Sequence, residues 1–148
     1  MVYRDRVHFD DVDFARTPFY GRYFSWVDRA WELALNEHGI WFGEMVGRRG
    51  LGLPIVEVSC RYLRPLALDD DFTVQIRISE LTRREVTTEF RVHKLPQETL
   101  MTEGYVRRRF VDMEAFRATD VPDDIFRLFE RMAESMAEWT AGENRTRS

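Results

Sequence analysis

Asp11 and Asp13 sit in the run F-D-D-V-D-F, a few residues ahead of a stretch where the apolar residues change to helical spacing. A carboxylate in such a place can attack an electrophilic carbon directly or take a proton from water as a general base. Addition to a carbonyl also needs hydrogen-bond donors on the opposite side, for the oxyanion that develops. The first turn of a helix supplies them, because its leading backbone N–H groups have no partner inside the helix. An acid just before a helix start therefore meets both needs in one small space. The letters D-x-D alone also shape turns and cap helices, so the surrounding elements decide how much they mean.

Positions 2–9 alternate polar and apolar residues as a strand does, and Asp10-Asp11-Val12-Asp13 breaks the alternation with turn-forming residues. From Phe19 the period changes. Tyr20, Phe24, Val27, Trp31 and Leu35 recur at three to four residues, with Arg22, Asp28, Arg29, Glu32 and Glu37 on other faces, which predicts a helix through about His38. Thr17 before Pro18 reads as its N-cap and first-turn proline. After the glycine-rich connection G-R-R-G-L-G-L-P, period two takes over. Val56, Val58, Cys60 and Tyr62 share one side of a strand, and Phe72, Val74, Ile76 and Ile78 one side of the next. Val86, Thr88, Phe90 and Val92 do the same beyond a hairpin turn at Thr82-Arg83-Arg84, and a last strand falls at 100–111.

Strands joined by short turns pair antiparallel, and one apolar face per strand requires a large body on one side of the sheet. The aromatic helix is that body. Residues 123–140 predict a second helix with the stripe Ile125, Phe126, Phe129, Met132 and Met136, started by Asp123-Asp124 at its positive end. The expected class is α+β: a five-stranded antiparallel sheet around a long central helix, plus a C-terminal helix. We expect one domain over 1–140 and a disordered polar tail at 141–148.

A chain of 148 residues buries enough surface to fold as one unit without a metal or disulfide. The single cysteine, Cys60, excludes an intramolecular disulfide, suits a reducing compartment and reads as a buried structural thiol. No apolar run approaches a bilayer span, and the N-terminus alternates where a signal peptide needs a continuous apolar core, so the expectation is a cytoplasmic protein with no membrane partner. The glycosylation sequon at Asn144 then has no machinery to meet. A net charge of −4 argues against nucleic-acid binding, and an anionic ligand must be caught by a local basic cluster.

The order of one strand, a long helix and four antiparallel strands is that of a hotdog fold. Within it, F-D-D-V-D-F-A-R-T-P-F-Y-G-R-Y-F-S-W-V-D-R-A at 9–30 resembles the signature of the 4-hydroxybenzoyl-CoA thioesterase family: an F-x-D-x-D turn, a short loop, and a helix opening on aromatic residues with Y-x-x-W, here Tyr23 and Trp26. Weaker similarity continues through P-I-V-E-V-S-C-R-Y, the acidic turn at Asp69-Asp70, T-R-R, and F-R-A-T-D-V-P.

The resemblance implies an acyl-CoA thioesterase. Asp13 matches the family's catalytic carboxylate, acting either as nucleophile through a mixed anhydride or as general base on water, and the backbone N–H of Tyr20 matches the oxyanion donor. Coenzyme A, here part of the substrate with no separate cofactor or metal, carries a pyrophosphate and a 3′-phosphate that call for basic side chains. Arg83 and Arg84 match a basic pair used for the nucleotide and Arg117 another basic position, against the alternative of ordinary solvated turn charges. Arg48 and Arg49 are further candidates. Asp28, roughly two turns beyond Tyr20, matches a position that often carries an acid; it faces the acyl pocket of a neighbouring subunit or is an exposed helix charge. Trp31, Trp41 and Phe42 line that pocket or join the core. The implied assembly is a homodimer or homotetramer with sites between subunits, and exposed sheet edges point the same way.

Two departures fall between the acid and the donor. The family turn reads D-x-D-x-x-G, and Arg16 stands in the glycine's place; Thr17-Pro18 follows where an apolar β-branched residue is commoner. Two rival readings remain at this point. A dehydratase acting on carrier-bound acyl groups needs a histidine beside the acid, a place that His8, His38 and His93 do not fill. A non-catalytic acyl-binding or assembly domain is compatible with Arg16. Aromatic lining favours an aryl acyl group, while a linear one fits the same residues.

Overall fold

The computed structural model describes residues 2–136 and 139. Strand β1 (Val2–Arg6) stops short of the predicted position 9, because a 3-10 turn at Phe9–Asp11 follows it, closed by His8 N–H donating to Asp11 Oδ2 at 2.8 Å. The central helix α1 (Arg22–Glu37) starts four residues later than Pro18, with Gly21 at its cap. Thr17 and Pro18 are therefore not its cap and first turn. They form the return arm of a narrow loop, in which Val12 bridges Pro18, Asp13 N–H donates to Thr17 O at 3.1 Å and Phe19 N–H donates to Asp11 O at 3.1 Å. Those bonds occupy the backbone that a helix start would need.

A π-helical turn (Gly43–Arg48) leads to β2 (Leu51–Gly52), followed by β3 (Ile55–Tyr62), β4 (Asp71–Leu81), β5 (Glu85–Lys94) and β6 (Thr99–Arg109). Short strands β7 (Val111–Asp112) and β8 (Arg117–Ala118) precede helix α2 (Asp123–Ser135). The main sheet is five-stranded and antiparallel in the order β1-β4-β5-β6-β3. A second, three-stranded sheet, β2-β7-β8, was not foreseen; it divides the predicted last strand at Phe110.

The inward residues of β4 and β5 are those the alternation marks. Phe72, Val74, Ile76, Val86, Phe90 and Val92 are all buried against Trp26, Val27, Ala30, Trp31, Ala34 and Leu35 of α1. Trp26 meets Phe72 with ring centroids 4.3 Å apart, a contact whose truncation to alanine costs about 3–5 kcal/mol. Phe129 of α2 closes the end of this core, 5.4 Å from Phe110 and 6.0 Å from Trp31. Gly104 of β6 is required where it stands: a β-carbon there would collide with the Ser59 carbonyl of β3 and lie 2.8 Å from the Phe90 ring.

β3 departs from expectation. Among the described residues it is an edge strand paired only with β6 in the sheet, and its side chains are largely uncovered, with Ile55, Val56, Val58 and Tyr62 each 40–46 % exposed. Cys60 is half-buried rather than enclosed, and burial raises its thiol pKa. The end of the predicted second helix beyond Met136, the tail at 141–148 and Asn144 lie outside the described residues. Among the described residues no helix is long and apolar enough to cross a membrane.

Candidate active site

Asp13 stands at the tip of the narrow loop with its side chain exposed. Its Oδ1 accepts the Ala15 N–H at 2.8 Å and its carbonyl accepts the Arg16 N–H at 2.9 Å, a tight turn that holds the carboxylate in a fixed orientation. Arg16 completes the turn with φ of 64°, the left-handed conformation that glycine adopts freely. Its carbonyl accepts the Leu68 N–H at 3.1 Å, which ties the loop to the segment ahead of β4. The departure at Arg16 is thus accommodated by a left-handed backbone at that residue. Asp11 is buried and structural: Oδ2 takes the His8 N–H, and Oδ1 lies 3.3 Å from Arg22 Nε.

Tyr20 lies two residues before α1, with its ring exposed. Phe19 O accepts the Arg22 N–H at 2.8 Å and Tyr20 O accepts the Tyr62 hydroxyl at 2.6 Å, while the N–H groups of Tyr20 and Gly21 have no acceptor among the described residues. The loop ladder pairs Asp13 with Thr17 and Asp11 with Phe19, so Tyr20 follows directly on the return arm of the loop that carries Asp13.

Asp28 is on the exposed flank of α1 and pairs with Arg108 of β6, Oδ1 to Nη2 at 3.0 Å. Arg108 is an unexpected member: its side chain is 4 % exposed, it donates to Thr88 Oγ1 at 3.2 Å, and it stacks 4.8 Å over Trp31. Burial pulls the guanidinium below its ordinary pKa, and Asp28 opposes that shift. Its signal was available in the sequence, since Arg108 occupies an inward position of β6 in register with Thr102, Gly104 and Val106. Asp28, Arg108, Trp31, Phe42, Leu53 and Ile55 line a cleft of about 270 Å³ between α1 and the start of β3; Trp41, 56 % exposed, is not part of it.

Further arginines gather around the start of α2. Arg83 and Arg84 lie in the β4–β5 turn as predicted, but neither is a free cation. Arg83 pairs with Asp123 at 2.5 Å and Arg84 with Asp120 at 2.8 Å. Arg49 forms a two-pronged pair with Asp124, at 2.7 and 2.9 Å, which lowers the Asp124 carboxyl to about 2. Arg48 and Arg49 flank a second cleft, about 380 Å³, that also includes Asp112, Glu114 and Asp120. Arg117 projects from β8, exposed. The exposed Asp13 carboxylate with the Tyr20 and Gly21 N–H groups, the ion-paired Asp28–Arg108 cleft along the helix, and the arginine–aspartate pairs around the start of α2 make up the candidate site.

A family model described as the thioesterase-like superfamily matches residues 7–139. The chain belongs to that superfamily. A 1,4-dihydroxy-2-naphthoyl-CoA hydrolase of Prochlorococcus marinus is 26 % identical over 131 residues, covering 84 % of this chain and 83 % of its own. A solved gentisyl-coenzyme A thioesterase is 29 % identical with a TM-score of 0.77, covering 87 % of this chain and 99 % of that one. A Staphylococcus aureus protein solved in complex with CoA shares the fold, with a TM-score of 0.85 at 17 % identity over 99 % of this chain and 92 % of that one. These relatives place the chain in the wider superfamily and do not single out 4-hydroxybenzoyl-CoA thioesterases.

Proposed function

We propose that this protein hydrolyses the thioester of an aromatic acyl-coenzyme A, with Asp13 as the reacting carboxylate and the Tyr20 N–H as oxyanion donor. One observation carries the reading: α1 and the edge strand β3 run side by side, with Tyr62 of β3 bonded to Tyr20 at one end and Ile55 lining the Asp28–Arg108 cleft at the other. Tyr20 lies just ahead of α1 and Asp28 six residues beyond its first residue, about 9 Å of helical rise, which suits an aryl acyl group with a polar substituent reaching the Asp28–Arg108 pair.

In the nucleophilic route the Asp13 carboxylate adds to the thioester carbon and charge develops on the carbonyl oxygen. The C–S bond then breaks with coenzyme A leaving as thiolate, and water hydrolyses the mixed anhydride to release the acid and restore the carboxylate. In the base route water attacks while its proton passes to Asp13 and then to the departing thiolate. Both routes use the same fixed carboxylate. The nucleotide is assigned to the Arg83, Arg84 and Arg117 cluster, where phosphates exchange with Asp120 and Asp123 as partners.

The working form is a homodimer or homotetramer. The uncovered apolar side chains of β3 support pairing of a second copy along this edge, and that edge borders both ends of the groove. A panel of CoA esters tests the reading by thiol release. Hydroxylated aryl esters should exceed linear acyl esters of similar size by at least about tenfold in kcat/KM. Equal or greater turnover of linear esters would remove the aryl assignment, and no hydrolysis of any ester would remove the hydrolase reading.

A further inference from the structure

We infer that Tyr62 is a positioning residue for the oxyanion donors at the start of α1. The inference rests on the thioesterase reading above and adds a residue that the resemblance does not assign. Two hydrogen bonds orient the peptides before the helix. Arg22 N–H holds Phe19 O at 2.8 Å, which turns the Tyr20 N–H the opposite way, because N–H and C=O are antiparallel across a trans peptide. Tyr62 hydroxyl holds Tyr20 O at 2.6 Å, and so turns the Gly21 N–H away from that hydroxyl, free to act as a second donor beside Tyr20 N–H. Neither N–H has an acceptor among the described residues.

The first of these bonds belongs to the helix start itself. The second is supplied from 42 residues away by a strand, and without it the Tyr20–Gly21 peptide, next to a glycine, has nothing to fix its plane. The Tyr62 ring is braced for the task, edge-on to Tyr23 with centroids 5.2 Å apart. Tyr23 is anchored in turn, its hydroxyl accepting the Leu66 N–H at 3.3 Å. Burial and the neighbouring Cys60 thiol both raise the Tyr62 phenol, so it stays a donor throughout the neutral range. Preorganised donors count in catalysis because they need no reorientation as the oxyanion forms.

The test is Tyr62→Phe in the full-length protein, with an ester that the wild type hydrolyses. Loss of a whole oxyanion donor costs about 10²–10³ in kcat; loss of its alignment should cost about 5- to 20-fold, with KM within about twofold and an unchanged melting temperature. Tyr105→Phe, which removes a tyrosine hydroxyl bonded to Glu57 and touches neither peptide nor the Tyr62 ring, should leave kcat unchanged. An unchanged kcat in Tyr62→Phe, or an equal loss in Tyr105→Phe, overturns the inference while leaving the Asp13 reading intact. If Tyr62→Phe fails to fold, a polyfluorinated tyrosine at position 62 keeps ring and donor but ionises at lower pH. Its kcat should then fall on the alkaline side at a pH where the wild type is still active, and a superimposable pH profile would overturn the inference.

Discussion

Replacing Asp28 with leucine should cost more stability than replacing Arg108 with methionine, although the two side chains are partners in one ion pair. The asymmetry follows from their surroundings, since the Arg108 side chain is 4 % exposed and that of Asp28 58 %. Asp28→Leu leaves a buried guanidinium with only Thr88 Oγ1 at 3.2 Å and the Trp31 face at 4.8 Å. Losing a charge-assisted bond costs about 1.5–3 kcal/mol; a fully buried pair would lose about 3–5, but water reaches Asp28 and screens it, so about 2 kcal/mol is expected. Arg108→Met removes the buried charge itself. Thr88 keeps the Val106 carbonyl at 3.4 Å, Asp28 is left solvated, and the change should stay within about 1 kcal/mol. Urea unfolding followed by tryptophan fluorescence reads both. With an unfolding entropy of about 2.1 cal/mol/K per residue, 2 kcal/mol corresponds to a melting-temperature drop of about 6 °C. A larger loss in Arg108→Met than in Asp28→Leu would refute the reasoning that the unpaired buried cation sets the cost.

Two further outcomes are expected. Arg16→Gly should stay within about 0.5 kcal/mol of wild type in chemical unfolding, because relief of the left-handed backbone offsets glycine's unfolded-state entropy, whereas Arg16→Val should cost at least about 1 kcal/mol; a valine tolerated as well as glycine would contradict the φ of 64°. His93 is 3 % exposed, and burial, followed by the Arg91 charge, lowers its imidazole pKa, with Glu98 opposing. The folded state keeps it neutral while the unfolded chain takes a proton below about pH 6.5, so this residue drains stability as pH falls through that range. His93→Gln should therefore lose less stability between pH 7 and 5 than wild type, measured by urea midpoints at each pH; parallel curves would exclude the effect.

Much of the fold was legible because period two and period 3.6 are direct consequences of one-sided burial. Phe72, Val74, Ile76, Val86, Phe90 and Val92 were marked by alternation alone and are buried as marked. The start of α1 was not legible: Thr17-Pro18 has the chemistry of a helix N-terminus, but backbone pairing across the loop uses those residues first. The exposure of β3 was also hidden, since alternation says which residues share a face and not whether anything covers it. At the site, the sequence pointed to Asp13, Tyr20, Asp28 and the arginines. It missed the aspartates that hold Arg83 and Arg84, because those contacts join positions 36 to 40 residues apart. Arg108 was recoverable as a cation at an inward strand position, whereas Tyr62 looked apolar by its neighbours and acts through its hydroxyl.

Asp13 is the residue on which the functional reading turns, and Asp13→Asn tests it most directly. Asparagine preserves the acceptor for the Ala15 N–H, and the carboxylate is exposed, so the fold and the melting temperature should be unchanged. Single-turnover hydrolysis of an aryl-CoA ester that the wild type cleaves should fall by about 10³-fold or more, with substrate affinity retained. Turnover by the folded variant within a few-fold of wild type would contradict the assignment of Asp13 as the reacting carboxylate.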